Sequence, residues 1–275
     1  MIGDPRIRVI VQEENRGKAA GLNVGVKAAR NPVVVFADAR QQWAEDAIER
    51  LLENLRDPDV GAASGDLVLR RDDGSLAGVG LYWKLEKWIR RNESLVHSSV
   101  QVAGAICCVR RELFEPLPEG TILDDVYWPL AVAMKNYRVV HDQGAQAFDR
   151  LPDKPRDEMR RKIRTLSGNF KLLFRRPAVI VPWRNPVWFN FICHKLLRLL
   201  VPWAMIAALV ASGLSDERWL RVMFVLQVVG YAIGATGIFV RPVARLPLVS
   251  TISSLIVLNA AALVSWFVYF TGQSG

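Results

Sequence analysis

Asp38 directly follows the apolar run VVVFA, so a strand over residues 33–37 would carry its carboxylate past the carboxyl edge of a sheet. A carboxylate there can ligate Mg²⁺, which is usually held by one or two protein carboxylates together with phosphate oxygens. The same residue also suits a helix N-cap. Asp124 and Asp125 open a helix-like run after the turn-forming PLPEGTIL. Adjacent carboxylates complement the positive end of a helix dipole, and they also raise one another's pKa and can poise a general base. Lys18 shows the opposite pattern, because a cation in the first turn of a helix opposes the dipole unless an anion such as phosphate sits beside it. The cluster RRKIRTLSGN, with Arg161 and Arg164, can face an anionic lipid surface or grip a diphosphate through bidentate guanidinium bonds.

These residues sit on an alternating set of elements. The run 7–11 reads as a strand, and RGKAAGLNVGVKAAR after it spaces Ala19, Leu22, Val26 and Ala29 as a helix. A continuously apolar strand over 33–37 completes a βαβ unit. A helix over 44–55, a strand near 60–69, an amphipathic helix over 82–95 and a buried strand over 100–109 follow. Beyond them come a helix after Leu123, strand pieces at 138–141 and 145–148, and a basic helix over 156–174. The pattern predicts an α/β fold with a largely parallel sheet, whose ligands gather at the carboxyl ends of the strands.

The chain has 275 residues, and its composition divides it. Charges nearly vanish beyond residue 196, and the runs 196–214, 219–240 and 246–270 are each long enough to cross a bilayer core of about 30 Å. The expected plan is therefore an enzyme-like domain over 1–176, an interfacial amphipathic segment over 177–195 with Trp183, Trp188 and Phe189, and a membrane domain over 196–275. Residues 150–176 hold ten basic side chains against Asp153, Asp157 and Glu158, which directs this segment to the cytoplasm. The acidic loop 215–217 then lies outside and RPVAR, 241–245, inside, with the carboxy terminus outside. The net charge of +9 is concentrated beside the membrane, so lipid rather than nucleic acid is the expected partner. Cys107, Cys108 and Cys193 have no CxxC spacing and the histidines are scattered, which argues against a zinc site or a disulfide framework.

In chain order RGKAAGLN, VVVFADARQ, VAGAICCVRRELF, TILDDV, NYRVVHDQGAQAFDR, EMRRKIRTLSGN and HKLLRLLVPW resemble the membrane-bound family 2 glycosyltransferases of polysaccharide synthesis, the group of cellulose and hyaluronan synthases. The resemblance implies a GT-A type fold with an incomplete nucleotide-binding sheet, followed by transmembrane helices. It implies inverting transfer from a nucleotide sugar, a UDP-sugar first of all, to a saccharide or lipid-linked acceptor at the cytoplasmic membrane face, with Mg²⁺ or Mn²⁺. By the same resemblance Asp38 is the first aspartate of the metal and nucleotide motif D-x-D, and Asp125 is the catalytic base of an acidic pair with Asp124. Lys18 and Asn23 fall on the donor-binding loop and helix, and Gly104 and Ala105 on the segment lining the acceptor site. Arg161 and Arg164 fall where the family carries Q-x-x-R-W near the diphosphate and acceptor.

The pattern also departs from the family. Arg40 stands where the second metal aspartate belongs, and Arg161 and Thr165 replace the glutamine and the tryptophan of Q-x-x-R-W, which points away from processive synthesis. The family's opening nucleotide-binding strands do not precede RGKAAGLN, so the sequence reads as shortened at its amino end. An inactive membrane protein that binds a partner synthase or lipid is the competing expectation.

Overall fold

Apolar runs of four or five residues suit a sheet covered on both faces. ICCV of residues 106–109 is buried in that way, whereas VVVFA of residues 33–37 lies at the sheet edge with Val35 37% exposed. The computed structural model describes residues 4, 6–70, 81–150, 155–240, 242–243 and 246–272. In chain order its first part comprises α1 (Gly17–Ala28), β1 (Val33–Ala37), β2 (Gln42–Trp43), α2 (Ala47–Asn54), β3 (Val60–Arg70), α3 (Leu81–Val96), β4 (Ile106–Arg110), α4 (Asp124–Met134) and β5 (Arg138–Arg150). The strands form one sheet in the order β1-β4-β3-β5-β2. Residues of β4 alternate between two cores. Cys107 and Val109 face one with Phe36, Trp128 and Leu130, while Ile106 and Cys108 face the other with Ala47 and Leu51 of α2. Burying an aliphatic side chain of this size contributes about 1.5–3 kcal/mol, so β4 ties both faces of the sheet together.

The sheet is mixed rather than largely parallel. β1, β3 and β5 do share a direction, but β4 runs antiparallel between β1 and β3, and β2 runs antiparallel along β5. Apolarity reports burial and carries no sign of strand direction, which is why the run at 106–109 fits either arrangement. Residues 7–11 form no strand; Val9 and Val11 are 70% and 84% exposed, and the segment joins no ladder among the described residues. A strand without neighbours has nothing to stabilise it in water. Of the run 100–109 only the second half is a strand, and the amides of Val100 and Val102 bond to Glu93 and Asp125 instead of to the sheet. Conversely, the pieces 138–141 and 145–148 merge into the single strand β5, which follows β3 through register shifts at Val60/Ala62 and Ser64/Asp66.

The second part begins with α5 (Pro155–Arg175), then α6 (Trp188–Phe191), a π-helical turn (Ile192–Leu196), α7 (Leu197–Leu214), α8 (Arg218–Phe239) and α9 (Pro247–Phe270). α5 is wedged between the two parts. Its Gly168 and Leu172 meet the first core, while Leu166 and Phe170 pack with Ala261 and Ala262 of α9. The segment after α5 is divided as well: Val179, Val187 and Phe191 are buried in the first core, whereas Trp183 and Phe189 are exposed. The stretch Trp188–Leu214 and helices α8 and α9 are each long and apolar enough to cross a membrane. A Cβ on Gly234 would lie 2.2 Å from Ile256 Cδ1, so α8 and α9 approach here only because Gly234 lacks a side chain.

The last turns of α9 lie beside the first turns of α7, with Trp266 Nε1 donating to Leu199 O at 3.0 Å and Phe170 of α5 stacked on Tyr269. Strict alternation of three spans would put those turns at opposite ends of the bundle. The basic residues Lys154, Arg241 and Arg245, which entered the reading of orientation, lie outside the described residues.

Candidate active site

The site forms where the carboxyl end of β1, the first turn of α1 and the first turn of α4 converge. Lys18 reaches Asp124 Oδ2 at 3.0 Å and Asp38 Oδ1 at 3.9 Å. The anion that a lysine in this helical turn requires is thus supplied by carboxylates from two other elements. Burial alone would lower the Lys18 pKa, but the charge and hydrogen bond of Asp124, followed by the charges of Asp38 and Asp125, carry it above the usual value. Gly104 closes one side; a Cβ there would sit 3.3 Å from Lys18 Nζ and 3.8 Å from Asp125 Cβ.

Asp125 has a different environment from its neighbour. Burial raises its pKa first and the adjacent Asp124 charge adds to this, while Lys195 and Lys18 pull it back, leaving it at about 6. A carboxyl poised there takes up a proton readily yet is mostly ionised at neutral pH, which is what general-base work needs. Pro129 lies four residues further along α4 and has no N–H to donate to the Asp125 carbonyl. That carbonyl instead accepts the Val102 N–H at 2.9 Å, tying α4 to the segment that holds Gly104 and Ala105.

Comparison with known proteins fits this geometry. Residues 1–117 match the profile described as Glycosyl transferase family 2. These residues form a family 2 glycosyl transferase domain. The chain is 26% identical over 177 residues to the poly-beta-1,6-N-acetyl-D-glucosamine synthase of Staphylococcus aureus (strain COL), covering 59% of this chain and 41% of that one. It is 35% identical over 65 residues to an N-acetylglucosaminyltransferase of Bradyrhizobium elkanii, covering 24% of this chain and 36% of the relative. The chain thus spans about two fifths of the length of the curated relatives it matches. Among solved structures, a mannosyltransferase from Pyrobaculum calidifontis in complex with GDP-Man and Mn²⁺ superposes with a TM-score of 0.61 at 23% identity, over 92% of this chain and 68% of that one. This likeness establishes a GT-A type fold.

The sequence-derived residues separate, and only Lys18, Asn23, Asp38, Gly104 and Ala105 of them lie inside the matched residues 1–117. Lys18, Asp38, Asp124, Asp125 and Gly104 come together, with Ala105 buried beside Gly104. Asn23 does something the sequence does not suggest: its amide donates to Leu117 O and accepts from Leu117 N, both at 2.8 Å, and so fastens the loop leading to Asp124. Arg161 and Arg164 are exposed on α5, and among the described residues no contact joins them to the Lys18 cluster. They lie seven and four residues before Gly168, on the helix face that meets Ile122 and Leu123 just ahead of α4. Arg40 points away from Asp38 and pairs with Asp149 at 2.9 Å. Asp38 is left as one half-exposed carboxylate that can hold a divalent cation together with diphosphate oxygens.

The sequence reading missed a second buried group. Lys195 donates to Gln101 Oε1, and His194 bonds to Glu93 Oε1 at 2.7 Å and to Glu86 Oε2 at 3.1 Å. Arg198 completes the group by meeting Glu86 Oε1 at 2.5 Å.

Proposed function

We propose that the protein transfers a sugar, with inversion, from a nucleotide-sugar donor to a saccharide or lipid-linked acceptor at the cytoplasmic face of a membrane, in polysaccharide or glycolipid synthesis. The observation that carries this reading is the half-buried Asp125, with a pKa of about 6, beside the cluster of Lys18, Asp38 and Asp124, just after the residues that match family 2. In this mechanism Asp125 takes the proton from the acceptor hydroxyl as its oxygen attacks the anomeric carbon. The bond to the nucleoside diphosphate breaks on the opposite face, and the leaving diphosphate departs with the bonding electron pair. Lys18 faces that diphosphate, and Gly104 leaves the space in which acceptor and base can meet. Arg161 and Arg164 are assigned to the diphosphate or acceptor as they approach along α5. The three apolar helices and the exposed Trp183 and Phe189 fit an integral membrane protein with lipid as its surroundings.

Bound at Asp38, Mg²⁺ or Mn²⁺ would neutralise diphosphate charge. EDTA is expected to abolish activity, which either ion restores, and Asp38→Ala is expected to weaken donor binding only when metal is present. Full activity after EDTA treatment would make Asp38 structural.

Two of the relatives are named for N-acetylglucosamine, which makes a UDP-sugar the first donor to test. The detergent-solubilised protein is expected to release nucleoside diphosphate from UDP-N-acetylglucosamine or another UDP-sugar, with GDP-mannose as the comparison. No release from any nucleotide sugar by folded protein would favour a partner-binding role without catalysis.

A further inference from the structure

We propose that Lys195, delivered into the domain at the head of the first apolar helix, is a positioning residue that holds Gln101 and the Asp125 carboxylate in place for proton abstraction. This rests on the reading of Asp125 as the base.

The geometry forms an unbroken path. Lys195 is 8% exposed and its ammonium donates to Gln101 Oε1. The next residue, Val102, donates its amide to the Asp125 carbonyl, the acceptor freed by Pro129. A buried ammonium persists only among counter-charges. Those facing Lys195 are Asp125 of α4 and Glu86 and Glu93 of α3, with Arg198 of its own helix opposing them. Asp125 in turn is faced by Asp124, Lys18 and Lys195.

What aims Lys195 is the preceding residue. His194 is clamped between Glu93 and Glu86, and the other Glu93 oxygen accepts the Val100 amide at 3.2 Å. One glutamate therefore fixes both the head of the helix and the segment that contacts the base. The turn Ile192–Leu196 is π-helical, a distortion found frequently at functional sites, and within it the consecutive residues His194 and Lys195 are both buried. The clamp by itself would dock the helix; Lys195 adds an ammonium bonded to Gln101, the residue beside the amide that holds the Asp125 carbonyl.

The test uses the full chain in detergent. In Lys195→Met, amides of residues 101–105 are expected to exchange with deuterium about tenfold faster than in wild type, while α3 stays protected. Release of UDP from UDP-N-acetylglucosamine is expected to lose turnover with donor KM unchanged. Removing a cation near a carboxylate makes it hold its proton more tightly, so the acidic limb of the rate should move up by about one pH unit. Lys195→Arg should restore both readouts. Unchanged exchange at 101–105 in Lys195→Met overturns the proposal, as does a turnover loss whose acidic limb stays in place and which only tracks lost folded protein. Hydrogen exchange needs no chemistry, so the two ideas fail separately: wild-type turnover in Asp125→Asn would remove the base reading and leave the positioning of this segment standing or falling on exchange.

Discussion

Replacing Asp125 by asparagine is expected to lower turnover by about 10² to 10⁴-fold while donor affinity stays nearly unchanged, the effect of losing a positioned general base. The wild-type rate should rise with pH through about 6, where burial and the Asp124 charge place this carboxyl, because only the ionised form accepts a proton. The residual activity of Asp125→Asn should lack that limb. Stability should move the other way. A folded-state pKa above the unfolded value means that protonation of Asp125 favours the folded protein; this stability is fully present below the unfolded value near 3.8 and is lost as pH rises through about 6. At pH 7 the ionised group therefore burdens the fold, and Asp125→Asn should melt no lower than wild type. A dead variant that is also less stable would indicate misfolding rather than a missing base. Near-normal turnover in Asp125→Asn, with Asp124→Asn inactive, would transfer the role to Asp124, whose carboxylate is engaged by Lys18 at 3.0 Å.

Local chemistry made part of this site legible in the sequence. Two carboxylates opening a helix, a carboxylate at the end of an apolar strand and a lysine in a helical first turn each stand out against short-range rules, and the structure brings all of them together. The apolar helices are legible for the same reason, since length and composition are local properties. Strand direction was not legible, because burial of 106–109 is the same in a parallel or an antiparallel neighbourhood. The clamp was not legible either. His194 and Glu93 are 101 residues apart, Lys195 and Gln101 are 94 apart, and none of the four forms a motif by itself. One signal was available: Pro129, four residues after Asp125, shows that the Asp125 carbonyl must find its donor outside the helix. A proline inside a predicted helix thus marks where another segment docks, and here that segment carries Gln101.

Replacing His194 by alanine is expected to cost about 3–5 kcal/mol of stability, the usual consequence of removing one member from a buried, hydrogen-bonded ionisable group. The side chains of His194, Glu86 and Glu93 are 2%, 9% and 6% exposed, so neither carboxylate can turn to water when the imidazole is gone. Each would keep other bonds: Glu86 retains Arg198, and Glu93 retains the Val100 amide at 3.2 Å and the Ser99 hydroxyl at 3.4 Å. At Glu93 the oxygen that meets His194 would lose that partner, and a buried acceptor left unsatisfied is costly. His194→Gln supplies one donor and should recover part of the loss. Combining His194→Ala with Glu86→Gln or with Glu93→Gln should depart from the sum of the separate changes, because residues in contact couple. Thermal melting in detergent micelles, followed by near-ultraviolet dichroism of the aromatic core around Trp128, reads the result. A melting temperature for His194→Ala within about one degree of wild type would mean that the helix head is held by the burial of Phe191 and Val187 alone, with the polar clamp contributing nothing to the union of the two parts.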